Sequence, residues 1–223
     1  MVDVSRLQVN LPAEYPALSA PPRLISLLEQ FDFARKRLTD RMAGPEGDSG
    51  NGVRIEIAAM TDDEYLWEPV PNCWSIRPRP SGSGPGATIL VGAGEWGRDS
   101  ARPCHPSPHP FTTIAWRLGH LSEMLALRAD HTIGSHALTQ DRYRFSGETA
   151  GAIAAFDAAA VSWREALVSA DEAALDMVGR SSYPDGSDPD DPFIDTAWWV
   201  NQELLHHGAE IALLRDRFRA RYG

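Results

Sequence analysis

DTAWWVNQELLHHGAEIALLRDRF, residues 195–218, decides both the fold and the chemistry. At 100° per residue, Thr196, Trp199, Glu203, His207, Glu210 and Leu214 fall on one stripe, with Val200, Ile211 and Phe218 beside it. The stripe is apolar except at its centre, so a carboxylate and a histidine one turn apart sit on a face that should pack inward. Glu203 and His207 can reach the same point in space, which is the arrangement a helix offers for two metal ligands. His206, the adjacent residue, points to a different side of the same wheel and is the alternative ligand. Glu210 reads either as a helix-surface group or as a carboxylate that orients a histidine.

The helix that would face this one runs from Phe111 to about Thr132. Ile114, Leu118, Leu121 and Leu125 fill one side of it and Trp116, His120, Met124 and Leu127 another. Apolar on two sides, it belongs inside a bundle. His120 lies at the centre of its stripe, so one histidine from this helix with Glu203 and His207 would make three ligands and leave positions open for water or substrate. A core histidine held by hydrogen bonds is the plainer reading of His120. An ionised Glu203 on an apolar face costs several kcal/mol unless a cation or a donor compensates it. Arg117 is the protein's own candidate for that donor.

Two further helices complete the set. Leu24, Leu27, Leu28, Phe31, Ala34 and Leu38 recur at helical steps between Pro22 and Met42. Residues 147–170, an alanine-rich run, place Ile153, Phe156, Ala160, Trp163 and Leu167 on one face, and the last helix begins near Ile194 and runs to about Arg221. The expectation is an all-α four-helix arrangement in one domain spanning residues 1–223. Residues 1–20, followed by the paired prolines Pro21 and Pro22, read as an arm. Residues 43–110, dense in Gly, Pro and Ser, read as a mostly looped excursion between helices one and two. Within it, TDDEYLWEP (61–69) is a capped helical turn and ATILVGAGEW (87–96) a short strand or ribbon. Trp67, Trp74 and Trp96 either wall a pocket or, more simply, pack.

Composition limits the function. With 31 acidic against 21 basic residues in 223, the net charge is −10, which argues against nucleic acid or an anionic membrane as a partner. No stretch approaches the length of a membrane span, and the N-terminus lacks a basic segment followed by an apolar run. Two cysteines, Cys73 and Cys104, require no disulfide, which suits a reduced, cytoplasmic setting. Cys104, His105 and His109 stand close in CHPSPHP, but its prolines prevent a helix from converging them on zinc. The glycines of VGAGEWG lack the Lys-Ser or Lys-Thr pair of a phosphate loop.

A histidine in WRLGHL (116–121), a long middle section, and ELLHHGAEIALLRD (203–216) resemble the DinB-like superfamily, particularly its actinobacterial members, over about residues 22–223. DEYLWEPVPNCWSIRP (63–78) is similar to the tryptophan-containing stretch that follows the first helix in those proteins. The resemblance implies a four-helix bundle of DinB type holding a divalent metal, zinc or nickel, by three histidines. The second-helix ligand falls on His120 and the last on His207, while the remaining position carries Glu203 instead of histidine. Two histidines and a carboxylate are still a competent facial set. Relatives include thiol-dependent S-transferases and the mycothiol-dependent maleylpyruvate isomerase, so the resemblance implies a low-molecular-weight thiol and an electrophile as substrates, and a homodimer as a candidate assembly. The rival expectation is a non-catalytic metal-binding or stress-associated interaction protein.

Overall fold

The computed structural model describes residues 20–44, 58–103, 106–184, 186 and 189–223. The expected N-terminal arm, apart from Ala20, lies outside them, as do Cys104 and His105.

Four long helices carry the core. α1 spans Pro22–Ala43, α3 Ile114–Ile133, α4 Thr149–Val168 and α6 Phe193–Tyr222; two single-turn helices, α2 (Asp62–Tyr65) and α5 (Glu172–Leu175), lie between them. α1 opens on a proline, whose missing N–H is no loss in a first turn, and Leu24, Leu28, Phe31, Ala34, Leu38 and Met42 are buried. α3 starts where the Thr113 side chain accepts the Trp116 N–H at 3.1 Å. α4 is capped from a distance: the Asp62 carboxylate of α2 accepts the Thr149 N–H at 2.7 Å. α1 packs on α4 and α6, and α3 packs on the same two helices from the other side. Between them Phe31, Leu118, Leu121, Phe156, Trp163 and Phe193 are fully buried. Side chains of this size contribute about 1.5–3 kcal/mol each.

The fold is mostly helical rather than all-α, because the excursion holds a small antiparallel sheet of order β1-β3-β2. β1 is Ile76–Pro78, β2 Ile89–Val91 and β3 Trp96–Ser100. β3 pairs Arg98 with Ile76 on one side and with Val91 on the other. The expected ribbon in residues 87–96 is therefore β2 and the start of β3, while the rest of the sheet replaces expected loop. The reason is chemical: Gly97, Arg98, Asp99 and Ser100 are buried although none is apolar. Asp99 holds the sheet's turns together by accepting the Ser75 N–H (2.9 Å), the Gly84 N–H (2.7 Å) and Arg77 Nε (2.8 Å).

The sheet presses on α3 at Gly119, where a Cβ would meet Ile76 Cδ1 at 2.7 Å. The chain just before β1 runs beside the start of α3, with the Trp74 N–H on Phe111 O (2.9 Å) and the Thr113 N–H on Trp74 O (3.0 Å). Of the three excursion tryptophans, Trp74 is buried 6.5 Å from Trp116, and Trp67 packs edge-on to Phe218 at 5.5 Å. Trp96 fits over Gly147, where a Cβ would sit 2.1 Å from the ring. All three pack, and Trp96 also lines a pocket beside Gly147. Among the described residues, no helix is long and apolar enough to cross a membrane.

Candidate metal centre

Three of the polar side chains on the two inward stripes converge. One turn of α6 brings Glu203 and His207 together, and α3 supplies His120 from across the interface. Nε2 of His120 and Nε2 of His207 each lie 3.3 Å from the same oxygen, Glu203 Oε2. The three potential ligand atoms are all within 4.8 Å of one another, and no other such group occurs among the described residues. The two imidazoles meet edge to face with centroids 5.1 Å apart.

His206 is not part of the group. Its ring stacks on His207 at 4.9 Å, but its side chain is 64% exposed and its Nε2 faces Glu210 Oε1 at 3.4 Å. The turn of about 100° between adjacent helical residues is enough to separate the two roles.

Behind His207 stands Glu210, whose Oε2 is 2.7 Å from His207 Nδ1. A carboxylate only accepts, so the tautomer with its proton on Nδ1 donates to Glu210 and leaves an Nε2 electron pair for a cation, while the other tautomer donates to Glu203. Arg117 pairs with that same Glu210 oxygen. The sequence offered Arg117 as a partner for Glu203; it instead serves the carboxylate two turns further along α6, and burial pushes its pKa down to about 10.

Burial likewise pushes His120 down to about 4, against the pull of Glu203, so its ring is neutral at ordinary pH. The imidazoles of His120 and then His207 hold the Glu203 carboxyl well below the usual range. Two imidazoles and an anionic carboxylate are a donor set suited to zinc, nickel or a similar divalent ion. The fit is sharpest at His207: in the tautomer that donates Nδ1–H to Glu210, a cation between Nε2 and the Glu203 oxygen takes the place of the hydrogen bond that the other tautomer makes there.

The walls of the centre come from residues the sequence did not single out for it. Trp116, one turn before His120, stacks on its ring at 5.3 Å and 21°. Trp116 Nε1 donates to Asp99 O at 2.8 Å, which ties the stacked indole to β3. Arg98 lies over the other part of this wall, 5.0 Å from the Trp116 ring, and forms a buried ion pair with Glu123 of α3 at 2.5 Å. Trp116 was visible as a stripe neighbour of His120. Arg98, Asp99 and Glu123 carried no comparable signal, since each looks like a surface charge until its partner is known.

No curated protein and no solved structure matches the chain. The model of the DinB superfamily, however, matches residues 30–211, from the middle of α1 through the whole of the histidine and carboxylate cluster, and the chain belongs to that superfamily.

Proposed function

We propose that this DinB-superfamily protein is a divalent-metal-dependent enzyme of a DinB-type four-helix bundle, with His120, Glu203 and His207 holding zinc or nickel. Its substrates are a low-molecular-weight thiol of the mycothiol type and an electrophile, joined by S-transfer or isomerised with the thiol as helper, in the cytoplasm. The carrying observation is the convergence of two imidazole Nε2 atoms on one Glu203 oxygen at 3.3 Å. Bound there, the cation would supply Lewis acidity that lowers the pKa of a thiol or a water.

The chain's own residues prepare the site. Glu210 favours the Nδ1 proton on His207, and Arg117 balances the charge of Glu210. Trp116 stacks on one face of His120 and fixes the plane of its ring. A thiol supplied from outside agrees with Cys73, which is fully buried, hydrogen-bonded to Val70 O at 3.0 Å, and raised in pKa by desolvation. Such a thiol is a poor nucleophile. The test is elemental analysis of protein purified without chelators, followed by turnover assays of the metal-loaded protein with several small thiols and a model electrophile. Bound metal with no turnover of any thiol would sink the thiol-transfer reading.

A non-catalytic role is the second reading. It is favoured by the same 3.3 Å contacts, because protons shared between Glu203 and the two imidazoles could close the network without a cation. Failure to bind zinc, nickel or manganese after reconstitution would select it.

A further inference from the structure

The geometry points to Arg98 of β3 as a positioning residue for the proposed metal centre, a role that rests on the metal-binding function proposed for the chain. Arg98 acts through Trp116. By holding the indole it holds the ring of His120, and so sets how tightly a cation is bound beside Glu203.

Trp116, His120 and Glu123 stand four and three residues apart on one face of α3. Arg98 reaches the outer two. Its guanidinium carbon is 5.0 Å from the Trp116 ring, and Nη2 donates to Glu123 Oε2 at 2.5 Å. One side chain thus brackets the turn of α3 that carries the ligand. His120 lies on Trp116 at 5.3 Å, and Phe145 lies 5.8 Å from the same guanidinium, so His120, Trp116, Arg98 and Phe145 form a run of neighbouring flat groups.

The support under the arginine is firm. β3 is the central strand of the sheet, and Arg98 pairs with Ile76 on one side and Val91 on the other. The next residue, Asp99, accepts the Trp116 indole N–H through its backbone oxygen at 2.8 Å. Two consecutive residues of one strand therefore grip the indole, one at its nitrogen and one at its ring.

Stability gives no reason for a charge at this place. Arg98 and Glu123 are 4% and 2% exposed. The cost of desolvating such a pair can exceed its attraction, and apolar side chains of similar volume hold a core as well or better. Among the described residues Arg98 Nε also makes no hydrogen bond, a further cost that packing for stability alone would avoid. What the pair supplies is direction. A planar guanidinium anchored on a carboxylate fixes the ring beside it, whereas a methionine in its place turns freely.

The signature that separates positioning from packing is therefore a loss of metal affinity without a loss of stability. Arg98→Met with Glu123→Leu should keep the urea midpoint at or above the wild-type value and weaken zinc binding about tenfold, measured by competition with a chromogenic chelator. Trp116→Leu should weaken it at least as much, and adding it to the double variant should cause no further loss, since Arg98 works only through the indole. Metal-free protein gives a second readout. The His120 imidazole, assigned in nitrogen-15 NMR by its disappearance in His120→Gln, should give one sharp set of signals in the wild type and broadened or doubled ones in the double variant. Arg98→Lys keeps a charge beside Glu123 without the planar face, and should lose affinity several-fold even if the double variant fails to fold. Unchanged zinc affinity in a folded double variant, or in Arg98→Lys, overturns the inference, as do losses that add when Trp116→Leu is combined with the pair. A wild type that binds no zinc overturns the metal-binding function itself. The imidazole signals then decide whether Arg98 holds His120, and identical signals in wild type and double variant overturn that as well.

Discussion

His207 Nδ1 and Glu210 Oε2 are 2.7 Å apart on adjacent turns of α6, and Arg117 of α3 holds the same oxygen. Glu210 thereby favours the tautomer of His207 that carries its proton on Nδ1 and frees Nε2 for a cation. Glu210→Gln keeps the shape but removes the charge that makes the imidazole a good donor. Affinity for zinc, measured by competition with a chromogenic chelator, should fall about 10- to 100-fold. An unchanged affinity would mean that His207 is not a ligand.

His120→Ala or His207→Ala should abolish stoichiometric metal binding. Loss of binding should also remove the rise in Tm that metal gives the wild type, since a ligand held only by the native state stabilises it by about 4 kcal/mol at a thousandfold excess over Kd. His206→Ala should do little, because its side chain is largely in solvent. Differential scanning calorimetry with and without zinc distinguishes the three, and equal effects at 206 and 207 would put the ligand on the wrong histidine.

Glu203 brings a negative charge to a position where the resemblance implies histidine, and that charge weakens the Lewis acidity of a bound cation. Thiol turnover by the wild type should accordingly peak at higher pH than in Glu203→His, the two assayed side by side with metal loaded. A peak at the same or lower pH in the wild type would contradict this.

Glu64 and Arg215 form a doubly hydrogen-bonded pair at 2.6 and 3.1 Å, with side chains 4% and 2% exposed. Arg215→Met alone leaves a buried carboxylate unpaired and should cost about 3–5 kcal/mol in urea unfolding. Glu64→Leu with Arg215→Met removes both charges and should cost much less. If the double variant is as unstable as the single, the pair matters for more than its charges.

Asp130, near the end of α3, gathers the loop that follows: its carboxylate accepts the N–H groups of Ser135 (2.8 Å), Ala137 and Leu138 (2.9 Å each) and the Ser135 hydroxyl (2.8 Å). Desolvation opposes the charge, but these donors prevail and pull its pKa below the usual carboxylate range, down to about 2. The folded value lies below the unfolded one, so the stabilisation is complete above pH about 4 and is lost as pH falls toward about 2. Asp130→Asn should be destabilised by about 1–2 kcal/mol at neutral pH, and the gap to the wild type should close over that acid window in pH-dependent chemical denaturation.

The long helices were legible because their burial is written in apolar spacing: Leu24, Leu28, Phe31 and Leu38 of α1, and Leu118, Leu121 and Leu125 of α3, are buried as their periodicity predicts. The meeting of His120, Glu203 and His207 was legible for the same reason, since each interrupts a stripe that must face inward. β3 was not. Its buried Arg98 and Asp99 are satisfied by Glu123, Ser75, Arg77 and Gly84, and nothing in WGRDS itself announces those partners. The target of Arg117 was hidden differently: Glu203 and Glu210 share one stripe two turns apart, and periodicity gives direction but not depth.

The register of β3 also governs where this chain tolerates changes of length. Because side chains alternate across a strand, deleting one residue between Trp96 and Arg98 would carry Arg98 to the opposite face, away from Glu123 and from the indole that stacks on His120. Gly82, at φ 72°, lies outside the ladder, and a Cβ there meets nothing within 4 Å, whereas Gly84 two residues on is pinned to Asp99. An excursion that reads as filler is thus a ruler with one elastic segment: insertions at Gly82 are absorbed by the turn, and a single deletion fifteen residues later is felt on α3.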